Sequence, residues 1–233
     1  MKSINIFERF KDRLEAGELL ARRLSAFYRH QNAIVVALPR GGVPVGYAVA
    51  KLLELPLDIL LVKKLSLPGN EEYAIGAISS NGTCILRENA VSVLDIRNQV
   101  IEAAVQRRLN EMDHCESIYR KHHRSLDLEG RNVILVDDGV ATGATMEVAA
   151  HVVRAAKPES LIIAVPVATP EICKNLQSTA DEIICLQTPE RFCAVGKWYL
   201  NFEQITDEEV ATLLEIGDES APADFGSDTV ATR

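Results

Sequence analysis

The sequence predicts an α/β protein built on a parallel sheet flanked by helices. Short apolar runs alternate with helical segments along the chain: AIVVAL (33–38), LDILLV (57–62), NVILVD (132–137), LIIAVPVA (161–168) and EIICL (182–186). These runs are apolar throughout rather than at every second residue, as expected of strands covered on both faces. Gly-rich or charged stretches follow several of them directly, at the carboxyl ends of strands, where ligands bind in such sheets.

Each element follows in order. Phe7, Phe10, Leu14, Leu19, Leu20, Leu24 and Phe27 recur at helical spacing over residues 7–29. AIVVAL stops at Pro39, and PRGGVPVGYAVAKLLEL passes from a Gly-rich turn into a helix. LDILLV is the second strand. Residues 63–83 read as loop, with Pro68-Gly69-Asn70 the clearest breaker. AIGAIS and TCILRE can pair as a hairpin around Asn81-Gly82. A long charged helix spans 95–123, and a helix over ATMEVAAHVVRAA ends before Lys157-Pro158. Residues 170–178 form another. In TDEEVATLLEI, Thr206 followed by Glu209 makes a capping box. One domain over 1–216 is expected. The polar, small-residue tail 217–233 is expected to be disordered.

Composition excludes several classes. At 233 residues, 47% hydrophobic and 25% charged, the chain is ordinary for a soluble globular protein. A net charge of −8 argues against nucleic acid as a partner. No apolar run approaches the roughly 20 residues of a membrane span. MKSINIFERFKDRLEAG lacks the apolar core of a signal peptide. The five cysteines, Cys84, Cys115, Cys173, Cys185 and Cys193, are odd in number and without CxxC spacing. They read as reduced, mostly buried thiols of a cytoplasmic protein.

The chemistry concentrates in VILVDDGVATGAT (133–145). Gly139, Val140, Ala141, Thr142, Gly143, Ala144 and Thr145 lead into a helix. A loop of small residues at a helix N-terminus offers free N–H groups, and the helix dipole favours an anion there. Thr142 and Thr145 add hydroxyl donors, and no P-loop lysine follows. Asp137 and Asp138 would repel that anion and suit sugar hydroxyls or a hydrated Mg²⁺ instead. A sugar phosphate meets both demands. Helix capping by Asp138 or Thr142 explains one residue and leaves the acid pair unexplained.

The stretch resembles the 5-phosphoribosyl 1-pyrophosphate (PRPP) binding motif of type I phosphoribosyltransferases. PRGGVPVGYAVA, KKLSLPGNEEYAIGAI, AVPVA and AVGKWYLNFEQITDEEV extend the resemblance over most of residues 5–216, to a bacterial group of phosphoribosyltransferases without an assigned acceptor. It implies that Arg40, Gly41 and Gly42 form a pyrophosphate loop and that Lys63 or Lys64 reaches pyrophosphate. Residues 65–76 would be a mobile lid. Asp137 and Asp138 would hold the ribose and, through water, Mg²⁺. The implied reaction transfers 5-phosphoribosyl to a nitrogen acceptor in a homodimeric enzyme. The alternative is a PRPP-sensing regulator with little turnover.

Ala141 stands where the 6-oxopurine enzymes carry a proton-handling acid, which disfavours hypoxanthine and guanine and leaves adenine and uracil open. Ala144 likewise replaces a lysine of that group. The resemblance also implies a small hood over the acceptor, built from both terminal segments. Phe7 and Phe10 at one end and Phe192, Trp198, Tyr199 and Phe202 at the other are its candidates, with Trp198 and Tyr199 the stacking platforms; core packing is the competing and favoured role for any single one. The basic stretch Tyr119–Arg124 reads as a solvated helix end or as a phosphate contact by Arg120 or Arg124. Glu71 and Glu72 could act on the acceptor or the metal, but are expected to face solvent.

Overall fold

The computed structural model describes residues 9–28, 32–67, 70–80, 82–86, 98–121 and 125–219. Phe7, Pro68-Gly69, Asn81, His122-His123-Arg124 and the tail from 220 onward lie outside them, as do the side chains of Glu71 and Glu72.

Five parallel strands form the sheet, in the order β2-β1-β6-β7-β8. They are β1 (Ala33–Ala37), β2 (Leu57–Ile59), β6 (Asn132–Val136), β7 (Ser160–Val167) and β8 (Glu182–Gln187). A second, antiparallel sheet of β3 (Val62–Leu67), β4 (Asn70–Ser79) and β5 (Cys84–Leu86) stands beside it.

Alternation along the parallel strands divides the core in two. Val35, Ala37, Ile134, Val136, Ile162 and Ala164 face α1 (Arg13–Tyr28), α2 (Gly42–Leu53) and α6 (Asp207–Glu219). Ile34, Val36, Val133, Leu135, Leu161 and Ile163 face α4 (Ala144–Ala155) and α5 (Pro170–Leu176). Both faces are apolar because both are covered. The long helix α3 (Asn98–Tyr119) closes the small sheet through Leu65, Ile78, Ile101 and Met112.

Several expected boundaries shift for local reasons. The first helix begins at Arg13 because Asp12 caps it, its Oδ1 accepting from the Glu15 N–H at 2.9 Å. Phe10 is therefore free to bridge Tyr199 as extended chain. The stretch expected as a loop after the second strand is paired instead: β3 and β4 run antiparallel, with irregularities at Leu65/Ser66 and Ser66/Leu67. Its alternation was hidden because Lys63 and Lys64 interrupt the apolar pattern. The β4–β5 pairing follows the expected hairpin, Gly76 opposite Leu86 and Ile78 opposite Cys84. The capping box forms as read, Thr206 and Glu209 exchanging hydrogen bonds of 2.7 and 3.1 Å. The helix it starts runs on to Glu219, past the expected boundary at 216. Among the described residues no helix is long and apolar enough to cross a membrane.

Candidate active site

Two loops meet at the carboxyl ends of β1 and β6. Leu38 N–H donates to the Val136 carbonyl (2.9 Å), and Gly42 N–H donates to the Leu38 carbonyl (3.0 Å). These bonds fold Pro39–Gly42 back across the end of β6. The Pro39-Arg40 peptide bond is cis. A Cβ on Gly41 would lie 2.1 Å from Asp138 Oδ2, and one on Gly42 would lie 2.9 Å from both Asp137 Cα and the Val136 carbonyl oxygen. The Arg40-Gly41-Gly42 turn thus rests on the acid pair with no room for a side chain. Arg40 is partly exposed and reaches Asp207 only loosely, at 3.8 Å.

The two aspartates are not equivalent. Asp138 is buried, and its Oδ2 accepts a 2.8 Å hydrogen bond from Arg13 Nε. Arg13 is buried too, donates through Nη1 to the Glu203 carbonyl (2.8 Å), and lies 3.8 Å over the Phe202 ring. The Tyr199 hydroxyl donates to the Asp138 main-chain carbonyl at 2.6 Å. Burial pushes the Asp138 carboxyl above its ordinary range, and Arg13 opposes that rise. Asp137 is half-buried, and its Oδ1 accepts from the Asp138 N–H at 2.8 Å. Burial, and then the charge of Asp138, raise its carboxyl well above the ordinary range. The Asp138 N–H bond and the charge of Arg13 oppose that rise, but Arg13 pairs directly with Asp138, and among the described residues Asp137 has no salt bridge of its own.

The loop Gly139–Thr145 leads into α4 as expected. Gly143, at φ 78°, precedes the helix and supplies no side-chain cap. The first-turn N–H groups therefore receive no side-chain cap. Thr142 and Thr145 are exposed beside them. Gly139 is confined between Val167 and Val195, where a Cβ would come within 2.9 and 2.7 Å. Val140 N–H bonds the Val167 carbonyl at 2.9 Å, fixing the loop to the neighbouring strand.

Lys63 and Lys64 lie on β3 and take opposite faces by strand alternation. Lys63 shares the α3 side with Leu65 and lies 3.6 Å from Glu111. Lys64 shares the other side with Val62, which packs against the core under α4. The strand therefore directs Lys64, rather than Lys63, toward the side that carries the Gly139–Thr145 loop.

The aromatic candidates separate in the same way. Tyr199 is buried between Phe10 (ring centroids 5.4 Å) and Phe202 (5.1 Å), so it serves packing and the Asp138 carbonyl instead of stacking. Trp198 is half-buried and stacked on Phe192 at 6.3 Å. The terminal segments pair directly: Phe10 N–H bonds Trp198 O (2.9 Å), and Leu200 N–H bonds Phe10 O (2.8 Å). Next to them lies a cavity of about 490 Å³ whose lining includes Arg13, Leu14, Pro44, Asn201, Glu203 and Ile205. Arg120, read as a solvated end or a phosphate ligand, is instead a strut. It pairs with buried Asp58 at 2.7 Å, and Asp58 also accepts the Leu126 N–H at 2.8 Å. Lys121 is exposed.

Sequence reasoning missed Arg13 and the role of Tyr199. Arg13 sits in a charged helical stretch 125 positions from its partner, and no local pattern marks it. None of the five cysteines is fully buried, contrary to expectation: Cys84 and Cys193 are exposed and the others are intermediate.

Comparison with known proteins bears on this geometry. The family model described as "Phosphoribosyl transferase domain" matches residues 8–199. A protein of Mycobacterium tuberculosis, named as a candidate phosphoribosyl transferase in two strains, is 39% identical over 206 residues. That alignment covers 88% of this chain and 46% of the relative, so the chain spans about half the length of the curated relatives it matches. A crystal structure of a Thermus thermophilus protein is 40% identical, with a TM-score of 0.81 over 92% of this chain and 100% of that one.

Proposed function

The chain belongs to the phosphoribosyl transferase domain family, and we propose that it is a Mg²⁺-dependent phosphoribosyltransferase, transferring the 5-phosphoribosyl group of PRPP to a nitrogen acceptor with release of pyrophosphate. The observation that carries this reading is the contact of the glycine turn with the acid pair: a would-be Cβ on Gly41 lies 2.1 Å from Asp138 Oδ2, and one on Gly42 lies 2.9 Å from the Asp137 Cα and 3.1 Å from its Oδ1. It supports a diphosphate loop and a sugar-binding acid at one point, beside an uncapped helix N-terminus suited to a phosphate.

In this reading the first-turn N–H groups of α4, with Thr142 and Thr145, hold the 5-phosphate. Asp137 takes the ribose hydroxyls. Asp138 is a positioning group, clamped by Arg13 so that the neighbouring main chain is fixed. Arg40 and Lys64 neutralise the departing diphosphate. A carboxyl raised by burial and a neighbouring charge, with no ion pair of its own, suits a divalent cation. Among the described residues no three acids, histidines or cysteines converge as a metal cage. Mg²⁺ would therefore be held chiefly by substrate oxygens, with Asp137 reaching it through water, and would supply charge neutralisation to the leaving group. The β3–β4 hairpin takes the place of the expected lid. The paired terminal segments act as the hood, their 490 Å³ cavity adjoining Arg13 on the acceptor side. Residues to Glu219 form the transferase domain of a homodimer.

The test is pyrophosphate release from Mg–PRPP in the presence of separate purine and pyrimidine bases, with Asp137→Asn alongside. Release that needs a base and is at least ~100-fold lower in the variant fits loss of a group that stabilises developing charge. PRPP binding without release with any base would make the protein a PRPP sensor.

A further inference from the structure

Two thiols remain outside the transferase reading. Alternation along β8 sends Ile184 to the core beneath α2, and Ile183 and Cys185 to the opposite side, beneath α5. On α5, Ile172, Cys173 and Leu176 form the face turned to that same core. Helix and strand thus bring Cys173 and Cys185 together across one layer contact. The Cys185 Sγ also lies 3.1 Å from the Gln187 carbonyl oxygen, at the end of the strand. Both residues keep partial exposure. Neither thiol touches the acid pair. The helix that carries Cys173 does touch the phosphate loop: Ile172 would stand 3.5 Å from a Cβ on Gly143, and Ile172 and Leu176 line a cavity of about 280 Å³ with Thr142, Gly143 and Glu147.

The environment divides the labour between the two sulfurs. A hydrogen bond from Cys185 brings the Cys173 thiol down to about 7, against the opposing effect of burial. The same bond, and burial after it, push Cys185 up. A thiolate is the nucleophilic form, so Cys173 is the sulfur that reacts first.

We propose that Cys173 and Cys185 are a peroxide-oxidisable dithiol that closes into an intramolecular disulfide beside the phosphate loop. Cys173 thiolate attacks one oxygen of hydrogen peroxide. An S–O bond forms, the O–O bond breaks, and hydroxide leaves and takes a proton to become water. Cys185 then attacks the resulting sulfenic sulfur. The S–S bond forms, the S–O bond breaks, and the oxygen leaves as a second water, carrying the Cys185 proton. The two sulfurs together lose two electrons, and the peroxide gains them.

The experiment treats the native protein with stoichiometric hydrogen peroxide, alkylates the remaining thiols and maps peptides by mass spectrometry without reduction. The expected product is one cross-linked species joining the Cys173 and Cys185 peptides, lighter by two hydrogens and cleaved by dithiothreitol. In Cys185→Ser the reaction should stop at a Cys173 sulfenic acid that dimedone traps. Oxidation confined to exposed Cys84 and Cys193, a Cys173 link to any other cysteine, or a Cys173–Cys185 link that forms only in urea would each overturn the proposal. The readout does not depend on PRPP, so it stands or fails apart from the transferase assignment.

Discussion

Replacing Arg13 with Met removes one partner of a buried ion pair while keeping most of the side chain's bulk. Arg13 Nε and Asp138 Oδ2 lie 2.8 Å apart, with side chains only 9% and 12% exposed. Breaking such a pair from one side costs about 3–5 kcal/mol, because the remaining charge stays buried and unpaired. The lower end applies, since Met still packs on Phe202 and Asp138 can take up a proton. A loss of about 3 kcal/mol corresponds to a fall of roughly 6–12 °C in Tm for a chain of this size. Urea denaturation followed by circular dichroism, with Trp198 as the single tryptophan reporter, measures it. The pH dependence carries the diagnosis. Without Arg13 the Asp138 carboxyl rises further, so the variant binds a proton in the folded state that the unfolded chain has already released. Its deficit should be full at neutral pH and shrink as the pH falls toward the ordinary carboxylate range. Adding Asp138→Asn should recover about 1–3 kcal/mol, because the two sites are coupled. A deficit below about 1 kcal/mol, or one independent of pH, would refute the clamp.

Three further outcomes follow from the same site. Asp137→Asn should stabilise the protein at neutral pH while abolishing turnover: its carboxyl is raised in the fold, so the parent loses stability as pH rises from the ordinary carboxylate range through the folded value, and the amide variant does not. Parallel urea curves at pH 5 and pH 8 check this, and a variant no more stable than the parent at pH 8 would count against it. Gly41→Ala should cost about 1–3 kcal/mol and PRPP binding together, since the new methyl meets the Asp138 carboxylate at 2.1 Å; calorimetric titration with Mg–PRPP reads the second effect. Lys64→Ala should lower kcat/KM by about 100-fold, while Lys63→Ala, which gives up only a surface contact to Glu111 at 3.6 Å, should change stability by less than ~1 kcal/mol and leave turnover near the parent's. Equal effects of the two substitutions would remove the strand-face argument.

The parallel sheet was legible in the sequence because strands covered on both sides have to be apolar throughout, and NVILV and AIVVA can hardly be anything else. The turn from the Gly139–Gly143 loop into α4 was legible because its requirements are local: small residues, hydroxyls and a following helix occupy consecutive positions. The β3–β4 hairpin was not, since Lys63, Lys64, Glu71 and Glu72 erase the alternation that would have announced it. For Tyr199 the sequence left a stacking platform and core packing both open, because an aromatic residue declares its size and not its orientation. Its hydroxyl bond to Asp138, 61 positions away, depends on how the chain ends are brought together.

That last dependence has a consequence for the site. Asp137 and Asp138 look like one device in sequence, two identical acids in tandem. Consecutive residues at the end of a strand point to opposite sides, so one of them must turn from the open site. The fold gives that one, Asp138, to Arg13, and Arg13 is itself held by the Glu203 carbonyl and the Phe202 ring. Each end of the chain therefore contributes to the geometry of the central acids: residue 13 from one side, residues 199 to 203 from the other. A hood assembled from these segments would be mechanically joined to Asp138, the neighbour of the proposed ribose-binding Asp137, through a single buried guanidinium. An acceptor that shifts the Phe202–Glu203 segment would move Arg13, and with it Asp138 and the Gly41 turn pressed against it. In the proposed reaction, acceptor binding and diphosphate binding would then be coupled through Arg13. The Arg13→Met variant should lose that coupling even in conditions where it remains folded.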